Sequence, residues 1–103
     1  MKFGLSDQQL ETIIEIISSF PEITEAIIFG SRAIGTNRQG SDIDIAIKCN
    51  NSKFNKRGNL LSRFEESNLP FFVDIVDYNS ITTNELKMQI DLYGVVFYNR
   101  KMN

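Results

Sequence analysis

Ile27-Ile28-Phe29-Gly30-Ser31-Arg32-Ala33-Ile34-Gly35, followed after a polar loop by Ser41-Asp42-Ile43-Asp44-Ile45-Ala46-Ile47, is the stretch on which the fold turns. Residues 24–29 are β-branched and apolar and end at a glycine, which predicts a buried strand. Ile43, Ile45 and Ile47 alternate with Asp42, Asp44 and Ala46, the period-2 pattern of a second strand. Residues 31–34 fit a single helical turn, and residues 35–41 are rich in turn formers. Gly30-Ser31 and the aspartate pair therefore lie one short loop apart.

Upstream, Ser6 with Gln9 forms a capping-box pattern. Leu10, Ile13, Ile14, Ile17 and Phe20 then recur at helical spacing and predict a helix over 7–19, stopped by Pro21. Downstream, Leu60, Leu61 and Phe64 predict a helix over 53–67, and Pro70 precedes a third strand over 71–77. Thr82 with Glu85 reads as a second capping box, ahead of a helix carrying Leu86, Ile90 and Tyr93 and ending at Gly94. Residues 95–98 complete the order αβ(α)βαβαβ. Strands alternating with helices predict an α/β domain (α+β by some schemes), with a single mixed sheet flanked by helices. The 103 residues are expected to form one domain, 1–103.

Composition narrows the chemistry. A net charge of −2 argues against a dedicated nucleic-acid-binding module, whose affinity rests on many Lys/Arg–phosphate contacts. There is no histidine, so imidazole acid–base catalysis and imidazole metal ligation are excluded. The single cysteine, Cys49, allows no intrachain disulfide and fits a reducing compartment. No apolar run approaches the ~20 residues of a membrane span, and the N-terminus lacks a signal-peptide core. The expected location is the cytoplasm.

Chemistry is left to carboxylates, hydroxyls, Lys and Arg. Same-face residues on a strand are roughly 6.5–7 Å apart, so Asp42 and Asp44 share a face. Two ionised carboxylates at that distance repel by ~2 kcal/mol at an effective dielectric near 20. Mg²⁺ is their natural partner, since it takes one or two carboxylates together with phosphate oxygens and water. An Asp-x-Asp is also compatible with a solvated strand face or a turn. Asp74 adds weight because it stands at the centre of Phe71-Phe72-Val73-Asp74-Ile75-Val76-Asp77, where a charge is costly unless paired or metal-bound. An ion pair with Arg32 or Lys48 is the competing explanation. If the two strands are neighbours, three carboxylates converge, a set suited to a two-metal centre. Asp77 has the opposite parity and reads as solvated.

Gly30 permits close approach of a ligand to the backbone, and Ser31 opening a helical turn offers free amides and a hydroxyl to phosphate oxygens. Arg32 and Arg38 are candidate phosphate contacts at longer range. Lys53, Lys56, Arg57 and Arg63 read as a solvated helix face. Phe71 and Phe72 read as core residues on the two sides of the sheet, and Tyr93, Phe97 and Tyr98 as packing residues.

Gly30-Ser31, ten intervening residues and Asp42-Ile43-Asp44 match the G-S-x10-D-x-D signature of the polymerase-β-like nucleotidyltransferases. The string GSRAIGTNRQGSDIDIAI resembles the small minimal nucleotidyltransferase (MNT) branch, and Asp74 matches the family's third carboxylate by context. The resemblance covers nearly the whole chain. It implies Mg²⁺-dependent transfer of AMP from ATP to a hydroxyl, with two metal ions and release of pyrophosphate. Gly30 and Ser31 would hold the β- and γ-phosphates. Asp42 and Asp44 would ligate both metals. Asp74 would ligate the catalytic metal and help activate the acceptor, and Arg32 would contact phosphate or anchor the loop. Larger relatives carry a further domain for the acceptor or nucleobase, so the acceptor is expected on a second copy or another protein. MNT proteins resemble the antitoxin half of modules whose other half is a helical HEPN ribonuclease, in which a toxin tyrosine is adenylylated. The alternatives are an antitoxin that neutralises its partner by binding alone, and adenylylation of a small-molecule hydroxyl.

Overall fold

A computed structural model describes residues 2–38, 40–50 and 53–100. Helix α1 (Asp7–Ser18) opens with the expected capping box, in which Ser6 and Gln9 exchange backbone and side-chain hydrogen bonds of 2.9 and 3.1 Å. Next come β1 (Ile23–Phe29), the single turn α2 (Ser31–Ile34), β2 (Ile43–Cys49), α3 (Arg57–Glu65) and β3 (Val73–Asp77). A 3₁₀ turn (Tyr78–Ser80), α4 (Asn84–Tyr93) and β4 (Val95–Asn99) complete the order. The four strands make one sheet in the order β3-β2-β1-β4. β1 is antiparallel to both β2 and β4, while β2 and β3 are parallel, so the sheet is mixed and the fold α+β.

Strand parity divides the core. On one face, Ile28, Ile43, Ile45, Ile47 and Ile75 are sealed beneath Ile13 and Ile17 of α1 and Leu60 and Phe64 of α3. Each of these side chains contributes roughly 1.5–3 kcal/mol by leaving water, so this cluster dominates the stability. The other face carries a smaller cluster, in which Ile90 of α4 packs with Ile27, Phe29 and Ala46. Ala46 pairs with Ile27, and Asp44 with Phe29, so Asp44 stands on this thinly covered face, one step beyond the cluster.

Several expectations give way to tertiary packing. α3 begins at Arg57 rather than 53, because Phe54 is buried edge-to-face against Phe20, 6.2 Å between ring centroids, in irregular chain ahead of the helix. β3 begins at Val73. Phe71 turns inward beneath the Arg32 guanidinium, 4.8 Å from its ring, whereas Phe72 projects from the other face and is 79% exposed rather than core. The Thr82–Glu85 box does not form; Thr83 takes the N-cap position without a side-chain bond. Gly94 ends α4 in extended conformation (φ −68°), and its role is space: a Cβ there would collide with the Ile90 carbonyl and the Ile27 side chain. Tyr98 packs in the core as expected, while Tyr93 is exposed. No helix among the described residues is long and apolar enough to cross a membrane.

Candidate active site

Because β2 runs antiparallel to β1, the start of β2 lies beside the end of β1. β3 runs parallel to β2 and brings its own start to the same edge of the sheet. Gly30-Ser31, Asp42-Asp44 and Asp74 therefore meet along one rim, reached from β1, β2 and β3 in turn.

Asp44 and Asp74 are register partners across the parallel strands. Asp42 immediately precedes β2 and is exposed. Burial first, then Asp74, then Asp42 push the Asp44 carboxyl above its ordinary value. All three causes act in the same direction, so nothing offsets the crowding at the Asp44 carboxyl itself. Among the described residues, no three acidic or thiol side chains are gathered into a metal-holding cluster. The donors present are nevertheless all oxygen, and Mg²⁺ needs only one or two carboxylates when phosphate and water complete its shell. The residues fit such an ion.

Gly30 adopts φ 77° and ψ −155°, a region essentially reserved for glycine. A Cβ at that position would stand 2.5 Å from Asp44 Oδ2. The missing side chain is what lets the turn into α2 pass directly beside the Asp44 carboxylate. Ala33 and Ile34 donate their amides back to the Gly30 carbonyl at 3.1 and 3.4 Å, which closes the turn. The amides at the very start of a helical turn have no such internal acceptor. A phosphate placed against Ser31 would meet them.

Arg32 is buried, and its guanidinium is committed to backbone. Nε and Nη2 donate to the Ser41 carbonyl at 3.0 and 2.7 Å, and Nη1 donates to the Phe3 carbonyl at 2.9 Å. This geometry makes Arg32 the anchor of the loop that delivers Asp42. A direct phosphate contact would require those bonds to break. Arg38 is exposed and donates its amide to Ser41 Oγ at 2.8 Å.

Asp74 has an ion-pair partner, but neither of the two expected from sequence. Arg57 Nη2 lies 3.2 Å from Asp74 Oδ1, and Arg57 Nε donates to the Ile75 carbonyl at 2.7 Å. Lys48 pairs instead with Glu25 at 3.3 Å and lies over the Tyr78 ring. Both Arg57 and Asp74 side chains are more than half exposed, so their pair is worth less than about 1 kcal/mol and yields readily to a divalent cation. The basic residues of this region are likewise engaged: Lys56 pairs with Glu22 at 2.6 Å, and Arg63 donates to Ser19 Oγ at 3.1 Å. Asp77 is a structural cap, accepting from the Phe54 amide, the Asn79 amide and Ser80 Oγ.

A glycine-serine turn beside the Asp44–Asp74 register pair offers chemistry suited to phosphate and a hard cation. Residues 11–103 match the family model described as "Polymerase beta, Nucleotidyltransferase". The chain belongs to this nucleotidyltransferase family. Among solved structures, it is similar to a toxin–antitoxin with AMP-PNP, at 28% identity over 90% of this chain and 75% of that one, TM-score 0.74. A mutant MntA–HpeT toxin–antitoxin gives 27% identity over 96% and 76%, TM-score 0.69. The tri-AMPylated Shewanella oneidensis HEPN toxin in complex with MNT antitoxin gives 25% identity over 90% and 71%, TM-score 0.67. No curated protein matches the chain. The likenesses agree with assignment to the MNT-type antitoxins.

Proposed function

We propose that this nucleotidyltransferase moves AMP from Mg²⁺-bound ATP onto a hydroxyl of a HEPN-type partner toxin, a tyrosine, and thereby acts as its antitoxin. The observation that carries this reading is the Asp44–Asp74 pair held in register beside Gly30. It is supported by the likeness to complexes in which a HEPN toxin is AMPylated or AMP-PNP is bound. Gly30 and Ser31 hold the β- and γ-phosphates. Asp42, Asp44 and Asp74 hold the divalent ions. Bound there, Mg²⁺ would neutralise charge gathering on the departing pyrophosphate and polarise the attacking oxygen. Asp74 orients the acceptor hydroxyl and takes its proton as the new oxygen–phosphorus bond forms. The bond from the α-phosphorus to the β-phosphate oxygen breaks in the same displacement, and pyrophosphate leaves with that electron pair. Consumption of ATP and the lone cysteine fit a cytoplasmic setting.

α-Labelled ATP, Mg²⁺ and the HEPN protein that co-purifies with this chain are expected to give label on the HEPN protein. Absence of label, together with equal protection of cells by wild type and Asp42→Ala, would refute the enzymatic reading.

Neutralisation by binding alone is favoured by a different observation. Met88, Leu92, Tyr93, Val95 and Val96 are all substantially exposed at the junction of α4 and β4. In that case Asp44→Asn would neutralise the partner as well as wild type does.

A further inference from the structure

We propose that Phe72 and the cleft beside it form the shelf on which the acceptor's aromatic ring lies, and that this shelf selects a phenol on the partner protein over an aliphatic hydroxyl. The inference rests on the transfer reading above and assigns the acceptor side of that same site.

The sheet order fixes the direction of the reaction. The pyrophosphate-holding turn follows β1, the central carboxylates start β2, and Asp74 lies on β3, the outermost strand on that side. In an in-line displacement, the attacking oxygen enters opposite the leaving group. With pyrophosphate at the β1 end, the acceptor must come from the β3 edge.

At that edge the structure offers apolar surface. Phe72 precedes β3 but continues its ladder, its carbonyl accepting from the Ile43 amide at 2.9 Å. Phe72 and Asp74 are thus two residues apart in extended chain and share a face, roughly 6.5–7 Å apart. That spacing is about the length of a phenol side chain. A hydroxyl presented to Asp74 would lay its ring along Phe72. Among the described residues, Phe72 is the most exposed of the large hydrophobics, at 79%. It stands at the β3 edge, round which an open cleft of about 640 Å³, lined on the α3 face by Leu61, Phe64, Leu69 and Val73, extends to Asp74. A serine or threonine side chain is too short to bring an apolar body onto this shelf. The β3 edge is closed to strand addition further along, where Arg57 occupies the outward Ile75 carbonyl. The occupant is therefore a side chain rather than an added strand. Aromatic rings favour one another in offset or edge-to-face contact, which gives the pairing its selectivity.

The test compares wild type, Phe72→Ala and Phe72→Tyr, with the co-purified HEPN protein as acceptor and Mg²⁺-ATP affinity measured separately. Phe72→Ala is expected to raise KM for the HEPN protein about tenfold, equivalent to ~1.4 kcal/mol, with kcat and Mg²⁺-ATP affinity unchanged. Phe72→Tyr is expected to restore the wild-type KM. An unchanged KM in Phe72→Ala would overturn the proposal. So would a loss of Mg²⁺-ATP affinity, which would place the ring against the nucleobase. If wild type transfers no label at all, the transfer reading fails, and photocrosslinking decides the shelf by itself. With p-benzoylphenylalanine at position 72, capture of a tyrosine-bearing peptide of the HEPN protein supports the shelf, and no capture refutes it.

Discussion

Asp44→Asn is expected to lower AMP transfer by roughly a thousandfold, the equivalent of the several kcal/mol that a metal ion contributes to charge stabilisation. The same substitution is expected to make the metal-free protein more stable near neutral pH. The two effects have one origin. Asp44 lies half-buried beside Asp74 and behind Asp42, and every resolved influence raises its carboxyl above the ordinary value. The folded protein then binds a proton on Asp44 at pH values where the unfolded chain has released it. Stability falls as pH rises through the window between the ordinary unfolded value and the raised folded one. Above that window the charged carboxylate is a standing cost, and below the unfolded value the cost is gone. Asparagine does not titrate, so its advantage should appear above the window and vanish beneath it. Urea midpoints in EDTA at neutral and acidic pH, alongside transfer rates, check both parts. Full activity in the variant would show that Asp44 holds no essential metal ion, and a lower midpoint at neutral pH would show that its charge does not destabilise the fold.

Arg32→Ala is expected to cost about 3–5 kcal/mol of folding stability, a large share of the ~5–15 kcal/mol a domain has. The guanidinium joins three pieces of chain that are remote in sequence: Phe3, Ser41 and, through its ring, Phe71. Hydrogen bonds from a charged donor contribute ~1.5–3 kcal/mol each, and their loss leaves backbone carbonyls without the partner they were folded around. Arg32→Lys is expected to recover little, since one ammonium cannot reproduce a planar fork directed at several carbonyls. Ser41 is the residue before Asp42, so activity should fall with stability. Thermal and urea unfolding measure the first effect. A change within about 0.5 kcal/mol, the range of an ordinary surface substitution, would show that the clamp is not structural.

Local patterns were readable wherever a local rule decides the outcome. Ser6 and Gln9 form their box because capping needs only residues three apart. The alternation at Ile43, Ile45 and Ile47 places Asp44 on the opposite face without any knowledge of neighbours. The family resemblance carried by Gly30-Ser31 and Asp42-Ile43-Asp44 agrees with the family match. What sequence could not supply were consequences of pairing. Asp74 faces Asp44 only because β3 runs parallel to β2 in that register. Arg57 looked like one basic residue on a polar helix; it reaches Asp74 because α3 packs against β3, 17 residues further along the chain. Phe72 resembled core because its neighbours are apolar, yet Ile90 anchors α4 over Ile27, Phe29 and Ala46 and leaves Phe72 exposed. Arg32 carried no local sign of burial, since the carbonyls that hold it come from Phe3 and Ser41.

We propose that three carboxylates and a glycine-serine turn make one metal–phosphate site. Calorimetric titration of ATP into the purified protein, in Mg²⁺ and again in excess EDTA, tests it most directly. Affinity in Mg²⁺ should exceed that in EDTA by about tenfold or more, because the phosphates reach the aspartates only through a cation, and Asp44→Asn should erase the difference. Equal affinity for ATP in Mg²⁺ and in EDTA would contradict it.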